Sequence, residues 1–194
     1  MSVVADSQVE ADVLAAAEGD SLAWDRLVSR YAGLIWSVAR AYQLSTADAA
    51  DVCQTTWLRL AEHLHRLRDP RCVGAWLATT ARRESLRTLR NAHRTIPVDT
   101  HIDLVDQQQR AEDRVEERER NAKLWRAFQS LSGPCQKLLR MLMADPAPSY
   151  AEVSAALEMP VGSIGPTRAR CLARLGTYAG LVDGMRSSTK EVPV

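Results

Sequence analysis

The chain has 194 residues, with 25 basic against 24 acidic side chains, a formal net charge of +1, four cysteines and only 5% aromatic residues. That length holds one or two small domains. The near-neutral balance excludes a uniformly basic nucleic-acid-coating protein, so any affinity for DNA has to come from local basic faces offset by acidic segments elsewhere. No apolar run approaches the roughly 18 residues of a membrane span and no signal peptide is legible, so a cytoplasmic protein without membrane insertion is expected.

Alanine, leucine and arginine dominate, and apolar residues recur at helical spacing, which predicts an all-α fold. From Val9 to Asn91 the pattern is helical almost throughout, with breaks at Gly19-Asp20, Leu44-Ser45 and Arg68-Asp69-Pro70, so four helices and a first domain over 9–92 are expected. In the helix that opens at Ser45, Cys53, Trp57, Leu60, Leu64 and Leu67 fall on one side at about 100° per residue. Asp51, Gln54, Thr55, Leu58 and Glu62 fall on the other, a polar and acidic strip with a leucine in its middle. Such a strip is either a solvated face or a docking surface for a basic partner, with the acids steering and Leu58 as an apolar anchor.

The helix from about Gly74 to Ala92 differs in charge. Leu77, Ala81, Thr88 and Leu89 form its expected buried stripe, while Trp76, Thr80, Arg83, Arg87 and Arg90 align on a second face with Arg82 at its edge. Between Thr79 and Arg94 there are five arginines and one acid, Glu84. Aromatic and guanidinium planes suit unstacked bases, at roughly 1 to 3 kcal/mol per stacked base. The alternative is that Trp76 closes the core and the arginines are solvated.

Beyond Arg94 the periodicity fades and Pro97 appears. Over Asp99 to Glu119 eight acidic residues face three basic ones, so 93–114 reads as a flexible acidic linker. A second domain of about four helices is expected over 115–182, with Gly133-Pro134 breaking the chain before a short apolar helix. Ser149 and Glu152 then have the spacing of a capping box, which starts a helix at Tyr150. Met159-Pro160 interrupts that helix after two turns, and a further helix is expected near Ser163 with Pro166 in its first turn. Ile164, Cys171, Leu172 and Leu175 are its expected buried stripe. Its other surface carries Ser163, Gly165, Pro166, Thr167, Arg168, Arg170 and Arg174 and nothing acidic. This is a helix-turn-helix pattern, in which arginines clamp phosphates or pair with guanine edges. Residues 183–194 read as a disordered tail.

Cys53, Cys72, Cys135 and Cys171 show no paired spacing, so buried free thiols are expected rather than a metal site or a disulfide framework. His63, His65, His93 and His101 make no ligand pair with them, and neither a phosphate loop nor a nucleophile elbow is present. No catalytic residue, metal or cofactor is therefore expected, and the chain is not read as an enzyme.

In order and spacing these segments resemble the extracytoplasmic-function (ECF) sigma factors of the RNA polymerase sigma family. GDSLAWDRLVSRYAGLIWSVARAY is similar to the opening helices of that family. ADAADVCQTTWLRL is similar to its core-binding helix, with Asp51, Val52 and Gln54 as the most specific string. GAWLATTARRESLRTLR is similar to the minus-ten helix, and SYAEVSAALEMPVGSIGPTRARCLARL to the helix-turn-helix that reads the minus-thirty-five element. The chain departs from the family in carrying Arg83 where asparagine is frequent, and Gly165-Pro166 where many members begin the recognition helix with a basic residue and a serine.

The resemblance implies a region 2-like first domain and a region 4-like second domain. It implies that Asp51, Gln54, Thr55, Leu58 and Glu62 dock on the β′ clamp helices of core RNA polymerase. Trp76, Thr80, Arg82, Arg83, Arg87 and Arg90, with the Arg68 to Val73 loop, would hold minus-ten DNA. The second domain would meet the β flap and minus-thirty-five DNA, the acidic linker would thread the polymerase cleft, and an anti-sigma factor is left open as a further partner. The rival reading is a stand-alone helix-turn-helix regulator acting as a dimer, although no dimer seam is legible.

Overall fold

The computed structural model describes residues 2–95 and 113–178, and among these the chain is helical with no strand. The expected tail, and the linker apart from its edges, lie outside the described residues. Four helices form the first half: α1 (Ser2–Ala17), α2 (Ser21–Ala41), α3 (Thr46–His63) and α4 (Val73–Thr95). Four more form the second: α5 (Asp113–Gln129), α6 (Gly133–Leu142), α7 (Tyr150–Leu157) and α8 (Val161–Tyr178). The helix count and order agree with the periodicity.

Local chemistry sets the starts. Asp20 caps α2 by accepting hydrogen bonds from the amides of Leu22 at 2.8 Å and Ala23 at 3.2 Å, behind Gly19, whose φ of 95° suits glycine. The Ser45 hydroxyl oxygen accepts from the Asp48 amide and starts α3. In α7 both halves of the capping box are made: the Glu152 amide donates to Ser149 Oγ, and the Ser149 amide donates to Glu152 Oε2. The turn before α8 passes through Glu158 in the left-handed region, at φ 53°.

Leu27, Ile35 and Val38 of α2, Leu60 of α3, and Val73, Leu77 and Ala81 of α4 are buried in the centre of the first half. Asp12 of α1 is buried beside them and pairs with Arg26 at 2.8 Å. Two expected stripes turn slightly. On α3 the buried line is Ala49, Val52, Thr56 and Leu60, and Cys53 and Trp57 are only half-buried at its flank. Thr56 is tolerated there because its hydroxyl donates to the Val52 carbonyl at 2.7 Å. On α4 Ser85 takes the place expected for Thr88 and Leu89, its hydroxyl donating to the Ala81 carbonyl at 2.8 Å.

The second half does not keep to a core of its own. Leu138 and Met141 of α6, Val153 and Ala156 of α7, and Ile164 of α8 join the same apolar cluster as α2 and α4. Close approach is made possible by two glycines within helices. A Cβ on Gly33 of α2 would lie 2.8 Å from the Asp145 carbonyl oxygen, and one on Gly74 of α4 would collide with the Glu152 carboxylate. Tyr42 Oη donates to the Ala156 carbonyl at 3.0 Å across this seam, and Arg82 of α4 pairs with Glu158. A smaller cluster, Phe128, Leu131, Cys135, Leu139 and Cys171, joins α5, α6 and α8.

Three expectations are corrected in this half. Cys135 and Cys171 are a disulfide across 36 positions of sequence, rather than free thiols; helix packing brings together residues whose spacing carries no pairing signal. Pro166 is the sixth residue of α8, not part of its first turn. Its ring removes the amide that would donate to the Gly162 carbonyl, and both residues are exposed, where water can take the freed acceptor. Leu172 is 43% exposed rather than buried.

Candidate nucleic-acid and polymerase interface

On α3 the acidic strip faces solvent. Asp51, Gln54 and Glu62 are exposed, Thr55 is half-buried, and Leu58 leaves 58% of its surface to water. An apolar side chain so placed among acids gains nothing for folding and is available to a partner. The strip is fixed in direction from behind: Arg59 reaches across to Glu84 of α4 at 2.9 Å, and Trp57 packs edge-on against Trp24 at 5.8 Å.

The α4 row divides by burial. Arg83, Arg87 and Arg90 are exposed along one side. Trp76 is half-buried, packed on the main core and 6.3 Å from the His63 ring, so it both closes the core and shows an edge. Thr80 lies beneath the row, its hydroxyl donating to the Trp76 carbonyl at 2.9 Å. Arg82 is drawn to the seam by Glu158, a pairing that no sequence spacing announces. Glu84, the lone acid of this stretch, is occupied by Arg59 and lies 3.8 Å from Arg87, so it leaves most of the row's positive field uncancelled. In the loop before α4, Asp69 accepts from the Arg71 amide and guanidinium; these bonds hold the Asp69 carboxyl below its ordinary range.

On α8, Ile164 and Cys171 point inward and Arg168, Arg170 and Arg174 are exposed. Ser163 is half-buried with its hydroxyl donating to the Pro160 carbonyl at 2.7 Å, so it closes the turn. Gly165 is half-buried and Pro166 exposed, and half-buried Thr167 accepts from Arg170 Nη2 at 3.1 Å. That bond holds the Arg170 guanidinium along the helix surface.

Between α2, α5 and α6 runs an apolar cleft lined by Trp36, Leu44, Trp125, Phe128 and Met143, with Arg40, Arg126 and Arg140 on its walls. Periodicity missed it because its walls come from both halves. Burial pushes the Lys137 ammonium and the Arg140 guanidinium below their ordinary ranges, with Arg82 and Arg40 adding repulsion to each in turn. Among the described residues no group of histidine, cysteine and carboxylate side chains is arranged to hold a metal, and no helix is long and apolar enough to cross a membrane.

The remaining cysteines differ in reactivity. Burial pushes the Cys53 thiol up to about 11, whereas Cys72 is exposed. The nucleophile is the thiolate, so iodoacetamide at neutral pH is expected to label Cys72 and spare Cys53. Equal labelling of both in the folded protein would contradict the α3 packing. An unfolded thiol titrates near 9; stability therefore falls as pH rises from there toward about 11, because only the unfolded chain releases that proton.

Among the described residues the chain is helical, with a capped helix-turn-helix and exposed arginines along both α4 and α8. Residues 27–95, from within α2 to the end of α4, match the family model described as Sigma-70 region 2. Among solved structures the chain is similar to CnrH in the structure of CnrH in complex with the cytosolic domain of CnrY. That match has a TM-score of 0.57 at 20% identity and covers 91% of this chain and 98% of that one. It places the two halves together within one known helical fold. No curated protein sequence matches the chain.

Proposed function

We propose that this chain is an ECF-type sigma factor: a non-catalytic subunit that binds core RNA polymerase, directs it to promoters and assists their melting. The observation that carries the reading is the region 2 match over 27–95, within which the exposed acid-and-leucine strip of α3 and the arginine row of α4 both fall. Asp51, Gln54, Leu58 and Glu62, flanked by Thr55, dock on the clamp helices. Trp76, Arg83, Arg87 and Arg90 hold unstacked minus-ten bases over Thr80. Arg168, Arg170 and Arg174 hold minus-thirty-five DNA, where Pro166 and Gly165 favour backbone approach and shape reading. The domains divide at 93–114.

Opening DNA costs a mean of roughly 1.4 kcal/mol per stacked step, so a near-neutral chain of this size needs the polymerase to melt several. Elements named for positions ten and thirty-five lie about 25 base pairs apart, about 85 Å at 3.4 Å per pair. In the structure α4 and α8 both pack on α7, so the helices that carry the arginine rows approach within about two helix-packing distances, roughly 20 Å. Promoter engagement in this reading requires α7 to leave α4. The cleft with Arg40, Arg126 and Arg140 suits an amphipathic acidic segment of an anti-sigma factor, as CnrH is held with the cytosolic domain of CnrY.

Runoff transcription from a genomic fragment library, by core polymerase with and without the chain, tests the reading; an unchanged set of start sites refutes it. Arg83→Ala with Arg87→Ala is expected to leave polymerase binding intact and reduce permanganate reactivity of promoter thymines severalfold. Equal reactivity would remove these arginines from melting.

A further inference from the structure

We propose that the Cys135–Cys171 bond is a redox-sensitive clamp on the recognition helix, opened by a soluble dithiol reductant and closed again by exchange with an oxidised disulfide. Of the α8 side chains only Ile164 and Cys171 are buried. Ile164 enters the main core, whereas Cys171 is held in the small cluster by its bond to α6. Without that bond, the C-terminal half of α8 keeps the Cys171 thiol and half-buried Leu175 as its anchors. Arg168, Arg170 and Arg174 flank Cys171 in sequence, so the order of this half sets how firmly the exposed cations are presented.

The two cysteines differ in burial. Cys135 is 7% exposed and Cys171 1%, so the reductant's first thiolate attacks the Cys135 sulfur. The S–S bond breaks, Cys171 leaves and takes up a proton, and a mixed disulfide forms on Cys135. The reductant's second thiolate then attacks its own bound sulfur and becomes oxidised to a disulfide. Cys135 is released as a thiolate, which its place as third residue of α6 favours, and then takes up the second proton. Two electrons and two protons pass in all from the dithiol to the pair. Disulfides in compartments rich in soluble thiols are usually transient or sensing; placing the chain in such a compartment rests on the sigma-factor reading.

The test uses the full chain carrying Cys53→Ser and Cys72→Ser. After oxidised glutathione it is expected to take up no maleimide, and after dithiothreitol two. Reduction is expected to speed amide exchange over 161–178 about tenfold, with α2 and α3 unchanged. Binding of a fluorescein-labelled mixed-sequence duplex at low salt is expected to weaken about threefold, since fewer cations are held in place. Adding Cys171→Ser should give the reduced behaviour under both treatments. Maleimide uptake by the oxidised protein, or identical exchange over 161–178 in both states, overturns the clamp. Redox-dependent exchange without duplex binding in either state supports the clamp and removes the DNA role of α8.

Discussion

Replacing Asp51, Gln54 and Leu58 together with alanine is expected to weaken binding to core RNA polymerase by more than about 30-fold, with the fold intact. All three side chains are exposed, and surface substitutions away from caps and ion pairs change stability by about 0.5 kcal/mol or less. An apolar anchor ringed by polar groups is the usual form of an interface hot spot, where truncation costs 2 kcal/mol or more, a factor of about 30 in affinity. Asp51 adds steering, so its loss should also flatten the dependence of association rate on salt. Fluorescence anisotropy against purified core enzyme reads the affinity, and thermal melting reads the fold. A folded triple variant that binds as tightly as the parent would exclude this face of α3.

The second large effect is expected at Gly74. A valine there drives its Cβ into the Glu152 carboxylate and to 2.9 Å from Tyr31 Cε1. Glu152 has little room to yield, because the same carboxylate accepts the Ser149 amide at 2.6 Å in the cap of α7. Overpacking costs about 1 to 3 kcal/mol and loss of a cap about 1 kcal/mol more. Leu27, Ile35, Leu60 and Leu77 are packed within the first four helices, so the strain is expected to part the halves rather than unfold them. X-ray scattering should then give a radius of gyration several ångströms larger than the parent's, which a compact chain of this length puts near about 16 Å. Exchange protection should fall in α7 and persist in α2. An unchanged radius and an unchanged α7 would mean that the seam absorbs the added carbon.

The seam also accounts for what reading residues in order left out. Cys135 and Cys171, Arg82 and Glu158, and Tyr42 and Ala156 meet across 36, 76 and 114 positions. Gly33 sits inside a helical pattern, where glycine is costly unless something must come close, whereas Gly74 lies at the start of one and gives no such signal. The buried line of α3 lies about one position from its apolar pattern because Thr56, polar in type, satisfies its hydroxyl within its own helix.

The sequence by itself determined the order of the α-helices among the described residues, the breaks at Asp20 and Ser45, the capping box at Ser149, the polar strip of α3, and the arginine rows of α4 and α8. Each of these depends on contacts within a few residues, or on the 3.6-residue period that puts like side chains on one face. Tertiary structure alone decided that α6 and α7 rest on α2 and α4, that Arg82 is diverted to Glu158, and that two cysteines lock α6 to α8. Those outcomes depend on which apolar faces pack together, and burial is non-directional, so no local pattern encodes its partner.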